Sequence, residues 1–326
     1  MSPRLGEADL IARYFAPLAG PAGLGLRDDA ALMRPTPGED LVLTTDALVA
    51  GVHFFADDPP AAIARKALRV NLSDLAAKAA RPLGFLLALA LPSDWRDEWL
   101  AAFAEGLGAD VIGFKCPLLG GDTVATPGPL TLSVTAIGSV AQGRMPRRTG
   151  VRPGDRLYVS GTIGDAAIGL KIRLGRDPDI PTADKAFLLE RYLTPHPRLG
   201  LIDAMAAHVS GGMDVSDGFV GDLTKMLDVS GVSAHVRLDR LPLSPAARGA
   251  IAADLDLFEV AATGGDDYEL LASAPRESAA AFEAAAAAAG VPVTFVGEAV
   301  AGRAPPTFIG PDGNLLVFER GAFSHF

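Results

Sequence analysis

The sequence predicts a two-domain chain of layered α/β and α+β architecture, and three observations carry that expectation. At 326 residues, 49% apolar and 21% charged, the chain is globular in composition and too long for one ordinary core. Up to about residue 140, β-rich runs alternate with helical patterns. Residues 141–155, AQGRMPRRTGVRPGD, then crowd Gly, Pro and Arg together before a fresh β-rich run, RLYVSG. The expected division is therefore 1–140 and 141–326.

Taken in order, LVLTTD (41–46) predicts a strand, 61–80 a helix, 83–91 a strand, 94–108 a helix and LTLSVTAIGSV (130–140) a strand. Beyond the boundary, RLYVSG predicts a strand, and helices are expected near 164–175, 184–193 and 197–209. In MDVSDGFVGDLTKM (213–226), Phe219, Leu223 and Met226 recur at helical spacing, so a helix is expected from near Asp217 with Ser216 as its N-cap. Strands follow at 233–238 and 268–273, and the Ala-rich 278–290 is a helix closed by Gly290. TFIGPDGNLLVF predicts a hairpin across Pro-Asp-Gly-Asn. No repeat of 20–50 residues is visible.

Bulk properties narrow the function classes. A net charge of −10 argues against a nucleic-acid surface, which needs a clustered positive field. The longest apolar run, LGFLLALAL (83–91), is well short of the ~20 residues that span a bilayer. The first residues carry acids and no long apolar stretch, unlike a signal peptide. With Cys116 as the only cysteine there is no intrachain disulfide, and a reducing, cytoplasmic location is expected.

The informative residues are acids that interrupt core-like sequence. They occur in six places: Asp28 and Asp29; Asp46; Asp74; Asp122; Asp214 and Asp217; and Asp266, Asp267 and Glu269. Asn71, Asp74 and Lys78 form one narrow polar stripe on an otherwise apolar helix, which points polar groups at something specific. Asp46 follows Thr44 and Thr45 at an expected strand end, where layered α/β folds bind ligands. Asp122 and Asp266 each follow a Gly pair, whose backbone can approach phosphate closely. Two carboxylates ~4 Å apart near a surface repel by about 4 kcal/mol, so a converging set requires cations. The motifs contain almost no His or Cys, which disfavours zinc, while Asp with Thr suits Mg²⁺ shared with phosphate. The P-loop, protein-kinase and complete dinucleotide-binding motifs are missing. Residue pattern alone thus reaches Mg²⁺-dependent phosphate chemistry.

The motifs DDAAL, TTDALVAGVHF, NLSDLAAKAA, GGDT, SDG and GGDDYEL, in this order and spacing, resemble the thiamine-monophosphate kinase family of the aminoimidazole ribonucleotide synthetase-like (PurM-like) superfamily. The resemblance runs from Leu10 to the C-terminal FSHF. It implies an N-terminal α/β domain that binds ATP and Mg²⁺ and forms a homodimer, and a C-terminal α+β domain that completes the ATP and substrate site. It implies ATP-dependent phosphorylation of thiamine monophosphate to thiamine diphosphate. Carried over residue by residue, Asp29, Thr44, Thr45, Asp46, Asp74, Asp122, Asp214 and Asp217 correspond to ligands of several Mg²⁺ ions, with Asp46, Asp122 and Asp217 closest to catalysis. Gly121, Asp122, Arg148 and Ser216 correspond to ATP contacts, and His53, Asp266 and Phe323 to substrate contacts. Two departures stand out: Arg27 replaces the family's usual Gly before the paired acids, and Asp266 replaces its usual Glu.

Rival expectations remain within and outside this superfamily. A selenophosphate synthetase would carry a reactive Cys near its N-terminus, and a purine-pathway synthetase would accept a formylglycinamidine nucleotide. A non-catalytic Mg²⁺–nucleotide sensor would bind ATP without forming product.

Overall fold

The computed structural model describes residues 6–318 and 321–322. Two compact units result, one built from residues up to Leu75 plus Ala80–Gln142, the other from Ala76–Ala79 plus Gly143 onward. Among the described residues no helix is long and apolar enough to cross a membrane.

In the first unit, after the short helix α1 (Glu7–Leu10), come β1 (Glu39–Val49), α2 (Pro60–Ala77), β2 (Arg81–Pro92), α3 (Asp97–Phe114), β3 (Leu118–Thr126) and β4 (Thr131–Ala141). The strands form one sheet in the order β1-β4-β2-β3, antiparallel except for β2 and β3, which α3 connects in parallel. Period-two alternation gives this sheet two unlike faces. Val42, Leu48, Leu87, Leu89, Leu132 and Val134 are buried, whereas Leu41, Leu43, Leu86 and Val124 are exposed. Helix α2 lies on the buried side: Leu75 packs where a Cβ on Gly138 of β4 would stand. An Arg69–Asp110 ion pair, 2.6 Å at Nε, ties α2 to α3.

The second unit contains β5 (Arg156–Ser160), α4 (Asp165–Arg173), α5 (Thr182–Leu193), α6 (Ile202–His208), β6 (Gly211–Asp214), α7 (Phe219–Ser230), β7 (Ser233–Arg237), α8 (Pro245–Ala253), α9 (Leu257–Thr263), β8 (Leu270–Ala274), α10 (Ala279–Ala288), β9 (Val293–Val300), β10 (Thr307–Ile309) and β11 (Leu315–Leu316). Its sheet runs β11-β10-β7-β9-β5-β8-β6. Leu157, Val159, Met213, Phe219, Leu223 and Val296 centre one core, and Ile168, Leu188, Ala247 and Leu257 a second. The expected hairpin across Pro311–Asn314 is present as β10 and β11.

Two strands were not foreseen, β3 and β9, and one expectation is corrected. Leu118–Thr126, which holds Gly120, Gly121 and Asp122, is extended because pairing with β2 supplies what its weak β-formers lack. Helix α7 begins at Phe219 after Gly218, so Ser216 is not its cap; the Asp222 carboxylate reaches back to the Asp217 and Gly218 N–H groups instead.

Candidate functional site

In the first unit the clearest constellation joins β1 to α2. Residues Val42, Thr44, Asp46 and Leu48 alternate onto the covered side of β1, so Thr44 and Asp46 point where α2 lies. The Thr44 hydroxyl donates to Asp74 Oδ2 at 2.5 Å, although the two are 30 residues apart in sequence. Asp46 belongs to the same group: burial first, and then the Asp74 charge, push its pKa from 3.8 to about 6. Asp46 does not end its strand as expected, since β1 continues paired with β4 to Val49. The polar stripe of α2 also divides among separate tasks. Asp74 meets Thr44, while Asn71 is buried and donates to the Ala67 carbonyl, leaving its Oδ1 without a hydrogen-bond partner. Lys78, just past the end of α2 and part of the second unit, donates to the Gly212 carbonyl of that same unit at 2.6 Å.

Thr45 is not brought into this group by its side chain. It faces the opposite side of the sheet, where its hydroxyl lies 3.0 Å from that of Thr135 and donates to the Val134 carbonyl at 3.1 Å. That same side opens into a cavity of about 740 Å³ whose lining includes Asp28, Asp29, Leu43, Leu86, Gly121 and Asp122. Asp29 and Asp122 therefore line one cavity, which Thr44, Asp46 and Asp74 do not. A Cβ on Gly121 would overlap the Leu87 carbonyl oxygen of β2, so only Gly permits β3 to pass this close. Arg27 is exposed, and Asp28 Oδ1 accepts the Asp29 N–H at 2.8 Å. His53, in the turn after β1, accepts the Val49 N–H at Nδ1 (3.0 Å), which makes Nε2 the protonated nitrogen of the neutral ring.

In the second unit, Asp214 is buried at the end of β6, and Ser216 and Asp217 follow, half-buried. Arg148 sits in a single helical turn whose Arg147 carbonyl accepts the Gly212 N–H and whose Arg148 carbonyl accepts the Ser230 hydroxyl. This turn is thereby held beside β6 and α7. The Asp266 N–H donates to the Ser216 carbonyl at 2.9 Å and the Tyr268 N–H to Val215 at 2.8 Å, so the 264–269 segment lies alongside the 214–218 segment. Asp266 and Tyr268 both have positive φ, +74° and +51°, a strained backbone for residues with a Cβ. Gly218, at φ +131°, occupies a region that only Gly reaches readily. Phe323 lies outside the described residues; Gly321 and Ala322 just before it pack against Gly221 of α7.

Two acids in the GGDDYEL stretch do structural work instead. Asp267, fully buried, accepts the N–H groups of Gly164 (2.7 Å) and Ala166 (3.2 Å) at the start of α4. Burial above all holds its carboxyl well above the usual carboxylate range. Glu269, also fully buried, accepts from Arg191 (3.1 Å), from Arg198 Nε (2.6 Å) and from Ser160 (2.6 Å). Sequence reasoning missed Asp222 and Lys225: Lys225 Nζ lies 2.6 Å from Asp217 and 3.1 Å from Asp222. The signal for Asp222 was a carboxylate one turn into a helix preceded by Gly218, a side chain placed to cap backward.

The donor chemistry fits a hard cation. Among the described residues no three His, Cys, Asp or Glu side chains gather closely enough to hold a metal on their own. Mg²⁺ does not need three, because it keeps waters and phosphate oxygens and is held through one or two carboxylates. Asp46 and Asp74 with the Thr44 hydroxyl would suit such an ion, and the two forces acting on Asp46 both disfavour its charge in the absence of a cation.

Comparison with known proteins gives a consistent result. Residues 27–140 match the AIR synthase related protein N-terminal domain and residues 152–306 the corresponding C-terminal domain. The chain is 48% identical over 302 residues to the thiamine-monophosphate kinase of Caulobacter vibrioides, covering 91% of this chain and 85% of that protein. It is 38% identical over 324 residues to that of Escherichia coli, covering 98% of each. Among solved structures, thiamine-monophosphate kinase from Stenotrophomonas maltophilia superposes with a TM-score of 0.81 at 39% identity, over 89% of this chain and 91% of that one. AaThiL complexed with AMPPCP and TMP superposes with a TM-score of 0.79 at 30% identity over 100% of both chains. The hydrogenase maturation protein HypE of E. coli shares the fold, at a TM-score of 0.77 and 21% identity.

Proposed function

This chain belongs to the thiamine-monophosphate kinase family, and on that footing we propose that it transfers the γ-phosphoryl group of ATP to thiamine monophosphate, forming thiamine diphosphate and ADP. The observation that carries the reading is the Thr44–Asp46–Asp74 group, a hard-cation donor set formed by residues 30 apart in sequence.

The acceptor is a phosphate monoester whose second pKa is about 6, so the nucleophile is already anionic at neutral pH. No strong general base is required, and His53, with Nδ1 committed to the Val49 N–H, suits a substrate contact rather than a proton abstractor. The barrier is chiefly one of charge and alignment. Bound Mg²⁺ would neutralise the phosphate oxygens and the charge that builds on the leaving ADP. Asp46, Asp74 and Thr44 would hold it in the first unit, with Asp29 and Asp122 serving further ions beside the cavity that Gly121 lines. In the second unit Asp214 and Asp217 would act as ligands, Ser216 and Arg148 would contact ATP, and Asp266 and Phe323 would face the thiamine portion. Thr45 contributes no hydroxyl to Asp46 and Asp74; its main chain is the part of it adjacent to the metal set.

Two further features support the reading. The exposed Leu41, Leu43, Leu86 and Val124 share one sheet face, an apolar patch of the kind a second copy covers, and a homodimer is the proposed assembly. Burial pushes the Cys116 thiol up to about 12, so the chain's one cysteine is inert; this disfavours selenium chemistry and fits a cytoplasmic protein.

Stereochemistry tests the proposed direct transfer. ATP made chiral at the γ-phosphorus should give thiamine diphosphate with inverted configuration. Retention would require a phosphorylated enzyme intermediate and would overturn the single-step scheme.

A further inference from the structure

Lys225 is placed where a metal-binding acid should not have an ammonium partner unless the partner has a purpose. It sits two turns into α7, its side chain about half exposed, with Nζ 2.6 Å from Asp217 Oδ2 and 3.1 Å from Asp222 Oδ1. Asp222 is 1% exposed, and its other oxygen accepts the N–H groups of Asp217 at 2.8 Å and Gly218 at 3.1 Å. Asp222 is therefore immobile: one oxygen fixes the backbone of the 217–218 turn and the other anchors Lys225. Asp217 is not fixed in this way, since its side chain is 38% exposed and the Lys225 ammonium holds one of its oxygens.

We propose that Lys225 is an internal counter-ion for Asp217, which surrenders the carboxylate to Mg²⁺ and then remains on Asp222, so that it sets the metal affinity of this acid. The inference rests on the reading of Asp217 as a metal ligand. A cation arriving at Asp217 and the ammonium already there compete for the same oxygen, and two positive charges cannot both occupy hydrogen-bonding range of it without strong repulsion. Metal affinity is then reduced by the fraction of molecules in which Lys225 holds the carboxylate. Retention on Asp222 keeps Lys225 from swinging away, which makes the competition permanent and local. A simple surface ion pair would be expected to follow the helix spacing alone; here the closer contact, to Asp217, spans eight residues and reaches off the helix.

The test is Mn²⁺ binding to the full-length chain, followed by electron paramagnetic resonance with a non-hydrolysable ATP analogue present. Lys225→Met should bind Mn²⁺ about two- to five-fold more tightly than wild type, the range an exposed ion pair supports. Lys225→Arg, which restores the charge, should return toward wild type, and Asp217→Asn should weaken binding. In the Lys225→Met/Asp217→Asn double variant the tightening should vanish, because the effect passes through Asp217. If Asp217→Asn weakens binding while Lys225→Met leaves it unchanged or weaker, the counter-ion role is wrong and the ligand role of Asp217 stands. Tightening that persists in the double variant also overturns the counter-ion role. If Asp217→Asn has no effect on Mn²⁺, Asp217 is not a ligand and both fall together.

Discussion

Replacing Asp46 by Asn should stabilise the metal-free protein while abolishing turnover. Asp46 is pushed from 3.8 to about 6 by burial and by Asp74, so the folded chain holds a proton that the unfolded chain has already released between those values. Stability therefore falls as pH rises from about 4 to about 6, and the full deficit applies above it. A shift of roughly two units corresponds to about 3 kcal/mol at neutral pH, an order-of-magnitude ceiling for a group that retains some solvent. Asn carries no charge, so Asp46→Asn should gain up to that amount at pH 7.5 with EDTA and almost nothing at pH 4. Urea unfolding read by tryptophan fluorescence is well suited, because both tryptophans, Trp95 and Trp99, lie in the first unit with Asp46. Added Mg²⁺ should stabilise wild type, by linkage, and leave Asp46→Asn nearly unmoved. A variant that is less stable than wild type at pH 7.5, or whose difference from wild type is the same at pH 4 and 7.5, would refute the reasoning.

Other perturbations reach the remaining parts of the account. Glu269→Leu leaves the buried Arg191 with only the longer 3.9 Å pairing to Asp165 and frees Arg198, and should cost about 3 kcal/mol, seen as a lowered melting temperature. Gly121→Ala forces a Cβ onto the Leu87 carbonyl and should destabilise the first unit by about 1–3 kcal/mol while raising the KM for ATP. Leu43→Arg puts a charge on the exposed sheet face and should shift sedimentation from dimer to monomer, with the melting of the monomer itself unchanged.

Much of the site was legible because its chemistry contradicts its surroundings. Asp46 beside Thr44 on an apolar strand, and Asp74 on an apolar helix, were visible as acids without an ordinary reason, and the fold brings them together. Period-two alternation already separated Thr44 from Thr45, although the motif reading treated them alike. What stayed hidden depends on pairing across long sequence separations. Glu269 looks like another candidate ligand until Arg191 and Arg198, 78 and 71 residues away, are seen to neutralise it. β3 escaped notice because Gly120, Gly121 and Asp122 are poor strand formers that only the β2 partner makes extended. Helix α7 was predicted correctly in kind, but its start was misplaced because Asp222, not Ser216, satisfies the first N–H groups.

The most direct measurement incubates the purified chain with Mg-ATP and thiamine monophosphate and follows thiamine diphosphate and ADP by chromatography, with EDTA and Asp46→Asn as controls. The account predicts the two products in equal amounts, dependent on Mg²⁺ and lost in the variant. ATP bound without thiamine diphosphate formed would contradict it, and would make the protein a nucleotide sensor or the enzyme of another acceptor.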